Sequence, residues 1–152
     1  MAQEKEITLT EALASASAFV TYVPLRTEVP FRDIVTLPAN AITYAIAPRA
    51  SLDPFQEAEK AIAAVTDRKT AILIPGRRLD ATGTRHGQGG GWYDRFLSKV
   101  PKEWTRIGFC YERQFSVDPI PRESWDQQMD LVIVLSRDGA VREYAARRSM
   151  VD

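Results

Sequence analysis

Two short, continuous apolar runs constrain the fold of this chain more than any other feature. They are "TAILIP" at residues 70–75 and "DLVIVL" at residues 130–135. A strand that is covered on both faces has such a run, whereas a strand with one wet face alternates apolar and polar residues. Segments 18–23, 41–47 and 106–111 are rich in β-branched and aromatic residues and are predicted as further strands. The pattern predicts a mainly parallel sheet that is buried on both sides.

Helix signals alternate with these strands. Thr8 and Glu11 have the spacing of a capping box before "LTEALASASA", and Asp53 followed by Pro54 is typical of a second helix start. Apolar residues of that second helix recur at helical spacing, namely Phe55, Ala58, Ile62 and Val65. "YDRFLSKV" is predicted as a third helix, and the tail "AVREYAARRSM" as a helix or a frayed end. We therefore expect an α/β fold, a three-layer α/β/α single domain over residues 1–152 with a mainly parallel sheet.

Composition narrows the possible partners. Twenty basic residues balance twenty acidic ones, so the chain lacks the positive field that drives nucleic-acid binding, and no nucleic-acid partner is expected. No apolar run reaches the roughly 18 residues that a membrane span needs, and the polar N-terminus does not resemble a secretory signal. The single cysteine, Cys110, lies in the apolar run "IGFCY" and is expected to be buried. We expect a cytoplasmic protein without a membrane partner.

The stretch "RHGQGGGWYDRF" (residues 85–96) holds an unusual cluster of glycines. Five of the eight glycines fall between Gly83 and Gly91, and each costs more backbone entropy than alanine, which indicates close approach of a ligand to the main chain. A Walker loop would need Lys and Ser or Thr after Gly91, and a dinucleotide fingerprint would need a small residue at Trp92. Neither pattern fits. The remaining interpretation is an anion pocket formed by backbone N–H groups and a helix start, for which phosphate is the commonest ligand.

Charged residues flank these glycines. Arg85 and Arg95 are positioned to add charge-assisted hydrogen bonds to a bound anion. Asp94 has two interpretations that spacing alone leaves open: a favourable charge in the first turn of a helix, or a ligand of a nucleotide-bound Mg²⁺. His86, the single histidine, is expected to be an exposed loop residue.

Together with its flanks, this stretch resembles the Arg-x-Gly-x-Gly-x-Gly-aromatic-Tyr-Asp-Arg signature of the 5-formyltetrahydrofolate cyclo-ligase family, also called methenyltetrahydrofolate synthetases. Upstream, "AILIPGRRLDATGTR" resembles the family's strand, its Pro-Gly pair, and the Asp and Gly before the arginine. Downstream, "RIGFCYERQ" and "IPRESWDQQMDLVIV" resemble its Ile-Gly strand and its Asp-containing loop. The resemblance runs from about Ala71 to Val134, and "TYVPLRTEVPF" is a weaker match to the family's N-terminal half.

The resemblance implies an ATP- and Mg²⁺-dependent enzyme that converts 5-formyltetrahydrofolate to 5,10-methenyltetrahydrofolate with release of ADP and phosphate. It implies catalytic roles for Arg85 and Tyr93, a metal ligand in Asp94, and a folate substrate bound by Glu28 and Tyr93. Implied ATP-binding residues are Arg85, Gly87, Gln88, Gly89, Gly90, Gly91, Trp92, Tyr93 and Asp94.

Other interpretations stay open beside these. Trp92 is expected to pack the third helix onto the sheet, and Glu28 taken singly is expected to be a solvated loop charge. Arg77 and Arg78 replace an apolar pair of the family and are expected to form a solvated turn. We expect the N-terminal basic helix of the family to be absent. An alternative function is therefore a non-catalytic relative that keeps the nucleotide pocket and acts as a binding or partner subunit.

Overall fold

A computed structural model describes residues 7–48, 51–87 and 91–146 of the chain. Its helices are α1 (Leu9–Ser15), α2 (Pro54–Ala64) and α3 (Trp92–Lys99). The strands are β1 (Ala18–Tyr22), β2 (Ile42–Ile46), β3 (Thr70–Pro75), β4 (Arg78–Asp80), β5 (Arg85–His86), β6 (Thr105–Tyr111), β7 (Phe115–Ser116), β8 (Leu131–Leu135) and β9 (Val141–Ala145). The five predicted strands and the first three predicted helices are confirmed. No helix within these ranges combines the length and the apolar character that a membrane crossing requires.

Six strands form the main sheet in the order β2-β1-β3-β6-β8-β9. The first five pair in parallel, and β9 pairs antiparallel with β8. Numbered along the chain, the parallel strands lie in the doubly wound order 2-1-3-4-5. This order confirms the predicted α/β class with its mainly parallel sheet. In such sheets ligands bind in the crevice outside the carboxyl ends of the strands where the order reverses, here β1 and β3.

The apolar runs are buried on both faces of this sheet, as the sequence predicts. In β3, Ile72 and Ile74 belong to the core cluster that contains α2 and α3, whereas Ala71 and Leu73 belong to the cluster on the opposite face. All four side chains are 0% exposed. Because successive strand residues point to opposite faces, a strand between two core clusters favours apolar side chains on both of its faces.

Helices cover both faces of the sheet. On one face α2 and α3 contribute Ala61 and Phe96 to the core, and on the other α1 contributes Ala12 beside Phe31 of the β1–β2 connection. The predicted caps are present, since the side chain of Thr8 accepts from the N–H of Glu11 and that of Asp53 accepts from the N–H of Phe55.

Phe55, one of the four apolar residues at helical spacing in α2, is not part of the buried face. Phe55 is 43% exposed, whereas Pro54, Ala58, Ala61 and Val65 are buried. Successive residues of an α-helix point about 100° apart, so the burial of Pro54 turns Phe55 toward solvent. The small side chains of the buried stripe let the helix approach the sheet closely.

The predicted helix or frayed end in the tail is wrong where the structure describes it. Residues 141–145 form β9, which pairs with β8 through a tight turn closed by a hydrogen bond from the N–H of Ser136 to the carbonyl of Ala140. Gly139 in this turn has a φ of +88°, a conformation that glycine adopts without strain. Asp138-Gly139 is thus a hairpin signal, and it outweighs the helix propensity of the alanines that follow.

A second, three-stranded sheet of order β5-β4-β7 lies beside the main one and was not predicted. Its strands have two or three residues each, too few for a detectable pattern. Asp80 at the end of β4 is 1% exposed, and its carboxylate accepts hydrogen bonds from the N–H groups of Thr82, Thr84 and Ile120. This carboxylate fixes the turn that leads into β5. The residues that follow β5, 87–91, are called the glycine loop below.

Candidate nucleotide and substrate site

A cavity of about 900 Å³ opens at the carboxyl ends of β1, β2 and β3. The β1–β2 connection contributes Leu25 and Glu28 to its wall, and the segment before α2 contributes Leu52. The remaining wall comes mainly from β5, the glycine loop and the first turn of α3. The cavity therefore lies at the crevice that the strand order predicts for a ligand.

Arg85 is the central charge of this cavity. Its side chain is 6% exposed, its Nε donates a 2.6 Å hydrogen bond to the carbonyl of Pro75, and its guanidinium carbon lies 4.5 Å from the centre of the Tyr93 ring. Burial lowers the pKa of Arg85, and Tyr93, Asp94 and Glu28 raise it. Within the described ranges no side chain forms a salt bridge with this guanidinium. A buried cation without a bound anion is costly, so Arg85 is suited to hold an anionic ligand.

Tyr93 lies against this guanidinium and is 7% exposed. Its hydroxyl is buried and has no hydrogen-bond partner among the described residues. Burial raises the pKa of Tyr93 above its ordinary value, with Arg85 opposing the shift and Glu28 adding to it, so the phenol keeps its proton at neutral pH. An unpaired hydroxyl in a cavity wall is a donor prepared for a ligand, because an unsatisfied buried polar group costs about 1–3 kcal/mol.

The glycines at the two ends of the loop have different structural reasons. A Cβ on Gly87 would lie 2.8 Å from Nη2 and 3.1 Å from Nη1 of Arg85, so the guanidinium occupies the space of a side chain. Gly91 has a φ of +66° and precedes α3, and nothing lies within 4 Å of a Cβ placed on it. The predicted ATP-binding residues Gln88, Gly89 and Gly90 lie outside the described residues.

We expect Gly87→Ala to weaken ADP binding about tenfold, or about 1.4 kcal/mol. The added methyl group would displace the guanidinium of Arg85 from the position in which it is suited to hold an anion. The unfolding free energy should change little, because the atoms in conflict are the far end of a flexible side chain. Isothermal titration with ADP and urea denaturation measure the two effects. An unchanged ADP affinity would contradict the role given to Gly87.

Glu28 is not a solvated loop charge, so that expectation is wrong. It is 8% exposed and lines the cavity, and its Oε1 accepts a 2.8 Å hydrogen bond from the N–H of Leu25. The loop that carries it is held to the segment between β6 and β7 by Gln114, whose side-chain amide donates to the carbonyl of Thr27. A turn hydrogen bond and a distant glutamine thus place this carboxylate, and neither is visible as a local sequence pattern.

Asp94 faces the same cavity from the first turn of α3. It is half-buried, and its Oδ1 accepts a 3.1 Å hydrogen bond from the N–H of Gln127. Burial raises the pKa of Asp94, the hydrogen bond from Gln127 and the charge of Arg85 lower it, and Asp126 raises it. Asp126 also lines the cavity, so two carboxylates stand side by side in its wall. No group of three or more His, Cys, Asp or Glu side chains in the described part of the chain is placed to hold a metal ion.

Trp92 packs as expected for a residue that anchors the helix. Its ring stacks on Phe96 with centroids 5.4 Å apart, and its Nε1 donates to the carbonyl of Leu52, which ties α3 to the segment before α2. One edge of Trp92 still reaches the cavity. Arg95 and Trp125 line both this cavity and a neighbouring one of about 680 Å³.

Three further predictions concern residues near the cavity. His86 is half-buried in β5, with its Nε2 2.7 Å from the carbonyl oxygen of Pro121, so the expectation of an exposed loop residue is wrong. Arg77 and Arg78 are both exposed and do not line the cavity, as expected, but Arg78 is the first residue of β4, so the predicted turn is wrong there. Cys110 is buried, as predicted.

Comparison with known proteins matches this region to one family. The model of the 5-formyltetrahydrofolate cyclo-ligase family matches residues 46–135, more than half of the chain. The chain is 36% identical over 62 residues to a 5-formyltetrahydrofolate cyclo-ligase from Mycoplasma genitalium, covering 41% of this chain and 36% of that protein. It is 35% identical over 74 residues to the Saccharomyces cerevisiae protein of the same name, covering 45% of this chain and 35% of that protein.

A solved structure is similar in fold. It is a 5,10-methenyltetrahydrofolate synthetase from Mycoplasma pneumoniae, with a TM-score of 0.51, 23% identity, and coverage of 77% of this chain and 72% of that one. The matches to the curated relatives span little more than a third of their length. The family match contains β3, the glycine loop, α3 and the neighbouring carboxylates Asp94 and Asp126. The chain belongs to the 5-formyltetrahydrofolate cyclo-ligase family.

Proposed function

We propose that this chain uses ATP to convert 5-formyltetrahydrofolate to 5,10-methenyltetrahydrofolate, with release of ADP and phosphate. The observation that carries the proposal is the meeting of Arg85, Tyr93, Glu28 and Asp94 in one cavity at the carboxyl ends of β1 and β3. Each of these side chains was assigned a role from the family resemblance, and they come from two distant segments of the chain. Family membership supports the reaction class.

The phosphate end of the site is proposed at Arg85, Gly87 and the start of α3. The terminal nitrogens of the buried guanidinium would donate hydrogen bonds to phosphate oxygens. The ring of Tyr93 packs against one face of this guanidinium and restricts its position. Gly91 brings the chain into α3 with a positive φ, and the N-terminus of a helix carries partial positive charge that favours an anion. These groups neutralise a phosphate without any protein nucleophile, as phosphoryl transfer requires.

Mg²⁺ is proposed to bind at Asp94 and Asp126. The donor set fits the ion, because Mg²⁺ typically uses one or two carboxylates and completes its shell with water and phosphate oxygens. The electrostatics also favour a bound cation. Asp126 raises the pKa of Asp94 because the two carboxylates repel each other, and a bound cation would relieve this repulsion. When bound, the ion would supply neutralisation of the charge on the transferred phosphoryl group.

The folate end is proposed on the side of Glu28. Its carboxylate lies in the wall with one oxygen held by Leu25, so the other oxygen is available to accept from N–H groups of a pterin ring. Tyr93 lies against Arg85, and we propose that its buried, unpaired hydroxyl donates to an oxygen of the bound substrates. Leu25, in the β1–β2 connection, and Leu52, in the segment before α2, would give apolar contact to the flat ring.

The proposed step transfers the γ-phosphoryl group of ATP to the formyl oxygen. Attack by N10 on the activated formyl carbon closes the ring, and phosphate leaves with the former formyl oxygen. The departing phosphate accepts the proton that N10 releases. The protein contributes alignment and charge neutralisation in a cavity, effects that can supply many orders of magnitude in rate.

Purified protein mixed with Mg²⁺, ATP and 5-formyltetrahydrofolate tests the proposal. We expect an increase in the absorbance of the methenyl product and stoichiometric release of phosphate. Tight ATP binding without turnover would favour the alternative of a non-catalytic relative that acts as a binding or partner subunit. Consumption of ATP without a requirement for the folate would indicate another substrate, and absence of ATP binding would overturn the assignment of the glycine loop.

Asp94→Asn should abolish turnover and at the same time stabilise the fold. The asparagine keeps an oxygen to accept from Gln127 but removes a metal ligand, so kcat should fall by about 10²-fold or more. Burial raises the pKa of Asp94 above its value in the unfolded chain, so the native state binds that proton more tightly. Stability from this group is therefore present at low pH and decreases as pH rises through the folded pKa.

At neutral pH the ionised side chain destabilises the native state, and the neutral amide relieves this cost. Because Asp94 is only half-buried, the gain should stay below about 1 kcal/mol. Thermal denaturation of both proteins at pH 4 and pH 7 measures it, and the difference should be larger at pH 7. A lower stability of the variant at pH 7 would contradict the sign of this effect.

A further inference from the structure

Arg106, which no comparison assigns a role, joins three elements behind the proposed site. It lies in β6 and is 3% exposed. Its Nη2 donates a 3.2 Å hydrogen bond to the carbonyl of Leu97 in α3. Its Nη1 donates to the side-chain oxygen of Gln127 at 2.9 Å and to the carbonyl of Gln128 at 3.5 Å.

These contacts lead directly to Asp94 and Asp126, the two carboxylates of the proposed metal site. Gln127 follows Asp126 in sequence, and its backbone N–H donates to Oδ1 of Asp94. The backbone N–H of Arg106 donates a 2.8 Å hydrogen bond to Oδ2 of Asp130 at the other end of the same loop. One residue of β6 therefore fixes the helix that carries Asp94 and the loop that carries Asp126.

We propose that Arg106 is a positioning residue that holds Asp94 and Asp126 at the separation a divalent cation needs. This inference rests on the proposed function, because it concerns the metal that the nucleotide brings. Two adjacent carboxylates repel each other, so their loop and helix would drift apart without a connection between them. The planar guanidinium suits this task because its fork donates to several acceptors in fixed directions.

The test measures how strongly Mn²⁺ tightens ADP binding. Isothermal titration gives the dissociation constant of ADP with and without Mn²⁺, and the ratio is the coupling between metal and nucleotide. We expect Arg106→Gln to reduce this coupling at least tenfold and Gln127→Ala to reduce it at least threefold, while ADP binding without metal stays within twofold. A merely structural role would weaken both titrations together.

Arg68→Gln is the matched control, since it removes the same charge from an exposed position before β3 that does not line the cavity. It should leave the coupling unchanged. If Arg106→Gln does not fold, Gln127→Ala decides, because it removes the acceptor of Arg106 from a half-buried position and keeps the N–H that contacts Asp94. If Gln127→Ala shows the same coupling as the wild-type protein, the positioning role of Arg106 is overturned, whereas the proposed metal site is not. Absence of any coupling in the wild-type protein would overturn the proposed metal site and this inference with it.

Discussion

Arg85→Lys will lower kcat/KM for ATP by about 10²–10³-fold, the loss typical of removing a preorganised donor to developing charge. Lysine keeps the positive charge but replaces the planar fork by a single ammonium, so it cannot bond Pro75 and a phosphate in the same directions. Steady-state kinetics with Mg-ATP and 5-formyltetrahydrofolate measures the change. The loss should divide between weaker ADP binding and slower turnover, because the guanidinium meets a ground-state phosphate as well as the transferred group.

Arg68→Lys provides the matched control for this substitution. Arg68 is exposed and lies beyond the amino end of β3, whereas Arg85 is held at its carboxyl end. The control should retain wild-type kinetics. If Arg85→Lys keeps kcat/KM within threefold of wild type while its fold is intact, Arg85 does not act as the phosphate clamp.

Gly83→Ala will cause the largest loss of stability, about 2–5 kcal/mol. Gly83 has a φ of +84°, which costs a residue with a side chain about 1–2 kcal/mol. A Cβ there would lie 2.5 Å from the carbonyl oxygen of Met129 and 2.8 Å from the Cβ of Ala146. Relieving such overpacking adds about 1–3 kcal/mol, because backbone must move. Urea denaturation measures the free energy of unfolding.

Gly139→Ala separates the two causes. Gly139 has a similar φ of +88°, but nothing lies within 4 Å of a Cβ placed on it. We expect this variant to lose only the conformational part, about 1–2 kcal/mol. Equal losses in the two variants would mean that the packing of Gly83 against Met129 and Ala146 contributes nothing.

The sequence predicts best those parts of the fold in which burial or a local cap allows a single secondary structure. The continuous apolar runs predict β3 and β8, which lie between two apolar layers. The start of α2 is predictable because its N-cap side chain accepts a hydrogen bond from a backbone N–H of the first turn. By contrast β4, β5 and β7 are too short to show a period, and their pairing depends on the turn that Asp80 holds. β9 was not predicted, because the alanines of the tail favour a helix whereas the strand depends on its pairing with β8.

The candidate site divides in the same way. Arg85, Gly87, Tyr93 and Asp94 lie within ten residues of one another, so a single motif brings them to attention. Glu28 and Arg106 belong to other segments, and contacts between segments distant in sequence bring them to or behind the cavity. A lone glutamate or arginine carries no local signal of burial, since both types are usually exposed.

The central place of β1 has a consequence for how the protein acquires activity during folding. Ala18 of β1 pairs with both Ile42 and Thr70, so this strand completes the sheet only after two distant segments have met it. Such nonlocal pairing is slow, because loop closure precedes the contacts that compensate its entropy. Glu28 reaches Arg85 only when β1 lies beside β3. Recovery of ligand binding during refolding should therefore follow the slowest kinetic phase, and compact intermediates that lack this pairing should be inactive.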